Sequence, residues 1–124
     1  WFTSVRDVVE DAVTTAGYEF DIAADISKPG NIMQQVWGSI RQAPVVIADL
    51  TGLNANVMYE VGVAHALGKQ VVLITQEPSA IPFDIRGNRW YAYRLTELAD
   101  LDKWLQTSLG EVATELALPV SHAH

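Results

Sequence analysis

The stretch Pro44-Val45-Val46-Ile47-Ala48-Asp49-Leu50 constrains the fold more than any other. It is β-branched and nearly continuously apolar, without the alternation of a strand that keeps one face wet. It therefore reads as a central strand covered on both faces. Such a strand needs a layer above and a layer below, and the flanking sequence supplies helices. Val5, Val8, Val9, Ala12 and Val13 recur at helical spacing across residues 3–16, with Gly17 where a C-terminal cap belongs. Residues 18–23 read as a short strand. Ser27, Pro29 and Gly30 then mark a loop into a second helix over residues 31–41, whose apolar face is Ile32, Val36, Trp37 and Ile40.

Beyond the apolar run, residues 51–56 carry turn chemistry, with Asn54 and Asn56 both able to cap a helix expected over residues 57–67 and closed by Gly68. Gln70–Thr75 is another apolar strand. A loop through Pro78 and Pro82 leads to a shorter strand over residues 90–93 and a final amphipathic helix over residues 98–116. Alternating helices and buried strands predict an α/β fold with a mainly parallel sheet, right-handed crossovers and helices on both faces. This is a flavodoxin-like (Rossmann-like) three-layer sandwich, with residues 1–124 forming a single domain. Because the chain opens on a helix, the first strand is expected to lie before Trp1. Ligands of such sheets bind at the carboxyl ends of the strands, so the loops after Asp49 and Thr75 are where a site is expected.

Acidic residues outnumber basic ones by 15 to 8, and the basic ones are scattered. Nothing supplies the cationic stripe that a nucleic-acid polymer needs, although helix N-termini and one or two arginines can hold a small nucleotide. With no cysteine there is no disulfide, no thiolate nucleophile and no cysteine-based zinc site. No apolar run approaches the roughly 20 residues of a membrane span, and no secretory signal is visible. A cytoplasmic protein is the expectation. The chain contains no glycine-rich phosphate loop, dinucleotide fingerprint, zinc-protease motif or G-x-S-x-G elbow, which argues against kinases, dehydrogenases and hydrolases of those types. No metal site is expected.

The apolar residues of the 57–67 helix spread around its circumference, so it reads as buried on most sides, with Glu60 inside that apolar sequence. An unpaired carboxylate there costs several kcal/mol or takes up a proton. With Asn56 as cap, Glu60 stands about one turn in, near the free amides and the positive end of the dipole, which suits a nucleophile or an electrostatic anchor. The alternative is a structural glutamate paired with Arg86, Arg89 or a backbone amide. Asp49 can point into the cleft and hold a sugar hydroxyl, or serve the Thr51-Gly52 turn. Gly62, in mid-helix, suggests close approach of another backbone or of a ligand, and His65 reads as a packed core histidine. Arg86 and Arg89, beside Trp90 in the loop after the Gln70–Thr75 strand, could clamp a phosphate or stand solvated at the surface.

The segment Val45-Val46-Ile47-Ala48-Asp49-Leu50-Thr51-Gly52, followed by Asn54-x-Asn56-Val57-Met58-Tyr59-Glu60-x-Gly62-x-Ala64-x-Ala66-x-Gly68-Lys69, resembles the core of the nucleoside 2-deoxyribosyltransferase-like group. Its superfamily fold is shared with Toll/interleukin-receptor (TIR) domains. In the transferases the glutamate of the Tyr-Glu-x-Gly-x-Ala motif attacks the anomeric carbon, releases the base and forms a covalent sugar intermediate; here that glutamate is Glu60. In TIR enzymes a helix glutamate serves cleavage of the nicotinamide–ribose bond of NAD. Trp1-Phe2-Thr3 looks like the loop after the family's first strand. Two positions depart from the pattern. Pro44 stands where many relatives have aspartate, and Asn54 replaces the aspartate that helps bind the sugar six residues before the nucleophile. The Pro82-Phe83-Asp84-x-Arg86 stretch looks more like prokaryotic TIR-like members.

The resemblance implies cleavage of the N-glycosidic bond of a small nucleoside or nucleotide by double displacement or assisted hydrolysis. Glu60 would be catalytic, Asp49, Gly52, Asn54 and Asn56 would line the sugar site, and Arg86 or Arg89 would hold a phosphate. No cofactor is expected, with NAD as an alternative substrate in a TIR-like effector. A non-catalytic nucleotide-sensing or self-assembling module is the reading from a different class. A homodimer or higher homo-oligomer is expected from the high apolar share and from related sites that a neighbouring subunit completes.

Overall fold

Three parallel strands hydrogen-bond in one sheet, in the order β1 (Val45–Asp49), β2 (Gln70–Thr75), β3 (Arg89–Ala92). The structure, a computed structural model, describes residues 2–21 and 42–117. Around the sheet stand α1 (Val5–Thr15), α2 (Ala55–Ala66) and α3 (Leu98–Ala117), with 3-10 turns at Thr51–Leu53, Pro78–Ala80 and Leu95–Glu97. This is the open α/β sheet that the sequence predicts. The helix expected over residues 31–41 lies outside the described residues.

The period of two along a strand sorts the side chains into two cores. Val72 and Ile74 of β2 enter a cluster with Val8, Ala12, Leu101, Leu105 and Leu109, joined by Val45 and Ile47 of β1 and Tyr91 of β3. Val71 and Leu73 point the other way, to Val61, Ala64 and Ile85. So α1 and α3 pack on each other over one face, and α2 covers β1 and β2 on the other. Tyr91 stacks on Trp104 of α3 at 5.1 Å between centroids, fixing β3 against that helix. Full burial of a leucine contributes about 1.5–3 kcal/mol, so Leu101, Leu105 and Leu109 outweigh any single helix cap, at about 1 kcal/mol. No described helix is long and apolar enough to cross a membrane.

Several expectations need correction. Among the described residues β2 is the middle strand, with β1 on one side of it and β3 on the other. Residues 18–21 are not strand; Tyr18 and Phe20 obtain their burial by packing against the α1–α3 core without joining a ladder. Residues 22 and 23 lie outside the described residues. The helix bounds shift slightly, and α1 and α2 both end in the expected glycine. In each, the N–H groups of Gly17 and Tyr18, or of Gly68 and Lys69, bond back to the last-turn carbonyls.

Asp102 sits where α3 meets α1. One carboxylate oxygen accepts from the Gln106 amide at 2.9 Å, while the other is buried with no hydrogen-bond partner among the described residues. Burial, followed by the neighbouring Asp11 carboxylate, pushes its pKa up. A carboxyl whose pKa is raised on folding costs stability as pH rises from its unfolded value through its folded one. Asp102→Asn should therefore unfold at higher urea than the parent at pH 7.5, with the advantage vanishing near pH 3; denaturation midpoints at the two pH values check this.

Candidate active site

At the end of β1 the chain must reverse to start α2. The Leu53 N–H closes the turn onto Leu50 O at 3.0 Å, and Gly52 takes φ 77°, a conformation a side chain would resist. Leu53 follows at φ 50°, a left-handed setting that costs a non-glycine residue about 1–3 kcal/mol and persists only where its surroundings hold it. Asn54 then caps α2, its Oδ1 accepting the Asn56 N–H at 2.8 Å. The cap is thus Asn54 and not Asn56, and the helix starts two residues earlier than expected; Asn56 is an exposed first-turn residue.

Asp49 serves the turn. Its Oδ1 accepts the Thr51 N–H at 3.0 Å and its Oδ2 accepts the Tyr93 hydroxyl at 2.6 Å. By strand alternation its side chain shares a face with Val45 and Ile47, on the side of the sheet away from α2. Thr51 Oγ1 accepts the Gln76 N–H at 2.9 Å, so the ends of all three strands are tied together. Nothing in the sequence singled out Tyr93, Thr51 or Gln76. The available signal was that Tyr93 ends the strand expected over residues 90–93 as Asp49 ends β1, two residues from Tyr91 and so on its face.

Glu60 is the sixth residue of α2, half-buried and past the free amides of the first turn, so the helix dipole contributes little to it. Burial pushes its carboxyl above the ordinary glutamate range. Neither hydrogen bond nor ion pair offsets that burial among the described residues. The arginines proposed as structural partners are engaged elsewhere. Arg86 is bound through two nitrogens to Asp84, both at 3.0 Å, with 87% of its side chain exposed. Arg89 pairs with Glu115 and reaches Gln70 at the amino end of the sheet. Among the described residues, then, no structural ion pair holds Glu60.

The loop carrying Arg86 descends past α2, where Ile85 is buried against Val61 and Ala64 and Asn88 bonds His65 Nε2 at 3.1 Å. Neither arginine therefore faces the carboxyl edge. Arg94, exposed just beyond Tyr93, is an arginine that does stand there. His65 is exposed rather than packed in the core, and α2 is buried along one side only, exposing Asn56, Tyr59, Gly62, His65 and Ala66. No group of the described residues lies within 4 Å of a side-chain carbon built at Gly62, so close packing among them does not explain that glycine. A separate groove of about 750 Å³ runs along α1, bordered by Asp7, Glu10, Asp11 and Glu19. Its four carboxylates would repel a phosphate, and no residue of the carboxyl edge lines it.

The family model for nucleoside 2-deoxyribosyltransferase matches residues 2–113, from α1 through most of α3. The chain belongs to that family. The match spans β1, the 50–53 turn, Glu60 and Tyr93, and it supports the transferase side of the sequence resemblance, not the TIR side. No curated protein matches the chain.

A carboxylate with a pKa raised by burial costs stability above its unfolded pKa, as worked out for Asp102. Glu60→Gln should then melt at or above the parent at pH 7.5, its advantage shrinking as pH falls to about 3; calorimetry at both pH values measures it.

Proposed function

We propose that this deoxyribosyltransferase-family domain cleaves the N-glycosidic bond of a small nucleoside or nucleotide with Glu60 as nucleophile. One observation carries the reading. Glu60 is half-buried in an apolar helix with no partner among the described residues to stabilise its charge. A desolvated, unpaired carboxylate gains most when positive charge develops beside it, as on the sugar of an oxocarbenium-like transition state. A bond forms between a Glu60 oxygen and the anomeric carbon while the C–N bond breaks. The electron pair leaves with the base, which takes a proton. Water or a second base then attacks the same carbon and returns the carboxylate.

Asn54 stands at the mouth of the helix with its Oδ1 committed to the cap and its amide N–H groups able to donate to a sugar hydroxyl. It adds no negative charge near Glu60, so the site is compatible with a phosphate-bearing substrate. Arg86 and Arg89 are not placed to hold that phosphate, and Asp49 is better described as a turn anchor than as a sugar ligand. The acceptor and the base are open to assay. A panel of deoxynucleosides, nucleoside monophosphates and NAD, with released base read by chromatography, decides among them. Release from NAD alone would assign the NAD-cleaving alternative, and nucleotide retention without turnover the sensing one.

Glu60→Gln should lower base release by roughly 10²–10³-fold or more in a folded protein. Activity within about tenfold of the parent removes Glu60 from the chemistry. Because the carboxylate is the active form and burial raises its pKa, kcat/KM should climb with pH through a value above the ordinary glutamate range and then level off. Asn54→Asp keeps the cap, since both residues cap well, and adds a charge. It should shift relative turnover toward free deoxynucleosides by about tenfold, measured as a ratio of kcat/KM values.

A further inference from the structure

Tyr93 follows β3 with its side chain 3% exposed. Its hydroxyl donates to Asp49 Oδ2 at 2.6 Å, and the same oxygen lies 3.4 Å from the Thr51 hydroxyl and accepts from Gln76 Nε2 at 3.4 Å. Asp49 and Gln76 close the ring through the Thr51 N–H and the Thr51 hydroxyl respectively. Tyr91, on the same face, fills space against Trp104 by its ring. The Tyr93 oxygen does something else, since a buried hydroxyl is costly unless its hydrogen bonds are made.

The ring of contacts holds the amino end of the 50–53 turn, and the Asn54 cap holds its carboxyl end. Between them lies Leu53 at φ 50°, which keeps that conformation only while both ends are fixed. The turn in its place sets where α2 begins and therefore where Glu60 stands.

We propose that Tyr93 is a positioning residue of the transferase site: through Asp49 and Thr51 it fixes the 50–53 turn and, with it, the placement of Glu60. The inference rests on Glu60 as nucleophile. Tyr93 itself touches no reacting atom.

The test uses the full chain as parent, Tyr93→Phe, Asp49→Asn and the double variant, assayed well below every melting transition. Base release from the best substrate of the panel is measured alongside amide hydrogen exchange by mass spectrometry. Tyr93→Phe removes one oxygen and keeps the ring. It should lower kcat by about tenfold or more while KM changes by less than roughly threefold. Losses in the double variant should be less than additive, because both substitutions act on the Asp49–Tyr93 contact. Exchange should speed up in peptides covering residues 50–57 and stay unchanged in α1 and α3. Additive kinetic losses, exchange that rises equally across the sheet, or unchanged exchange at residues 50–57 would overturn the proposal. A parent that releases no base overturns the Glu60 reading and the catalytic part of this one. In that case the exchange pattern still decides whether Tyr93 holds the turn.

Discussion

Burial of β2 on both faces is the constraint from which the other features follow. Val72 and Ile74 commit one face to α1 and α3, and Val71 and Leu73 commit the other to α2. A strand sealed in this way can satisfy its backbone only through neighbours in its own plane, which β1 and β3 provide. Parallel pairing then brings the carboxyl ends of all three strands to one edge. The connections must return over the faces, so α2 starts at that edge, immediately after β1. The apolar core thus decides which loops can meet, before any polar residue is considered.

Two polar arrangements, one at that edge and one within α2, follow opposite rules. The Asp49, Thr51, Gln76 and Tyr93 cluster satisfies its buried groups internally, as a structural network must. Glu60 does not: its burial is offset by no partner among the described residues, and its pKa rises accordingly. A protein gains nothing in stability from such a carboxylate, and the contrast with the satisfied cluster supports the role proposed for Glu60. The same contrast separates Asp49 at the end of β1 from Glu60 within α2.

Much of this was legible in the chain. The apolar runs at Val45–Asp49 and Gln70–Thr75, the helical spacing of Val8 and Ala12, and the closing glycines at positions 17 and 68 specify element type and order because each depends on local periodicity. Glu60 was legible for the same reason, as one charge inside an apolar helix. What sequence could not carry was pairing. Arg86 and Arg89 look alike in the chain, yet one is held by Asp84 two residues away and the other by Glu115 on α3. Asn54 and Asn56 are both competent caps, and the turn geometry at Gly52 and Leu53 selects the first. Tyr93 was hidden because its role depends on a partner 44 residues distant. His65 was misread because a helix rich in alanine and valine looks buried all round when only one side meets the sheet.

With Arg86 and Arg89 away from the carboxyl edge, the electrostatics of substrate capture change. The chain carries a formal charge of −7, and the Asp7, Glu10, Asp11 and Glu19 groove adds a local negative field along α1. An anionic substrate gains no steering from such a surface, and screening leaves only contacts within about 8–10 Å to act on it. On the proposed reading, affinity at this edge comes from hydrogen bonds to the sugar and apolar contact with the base, with Arg94 as an exposed cation near the end of β3. That balance suits the role proposed for Glu60. A cation close to Glu60 would lower its pKa and offset in the ground state the charge that the transition state needs. A carboxylate with no partner among the described residues keeps that stabilisation for the proposed step in which positive charge appears on the sugar.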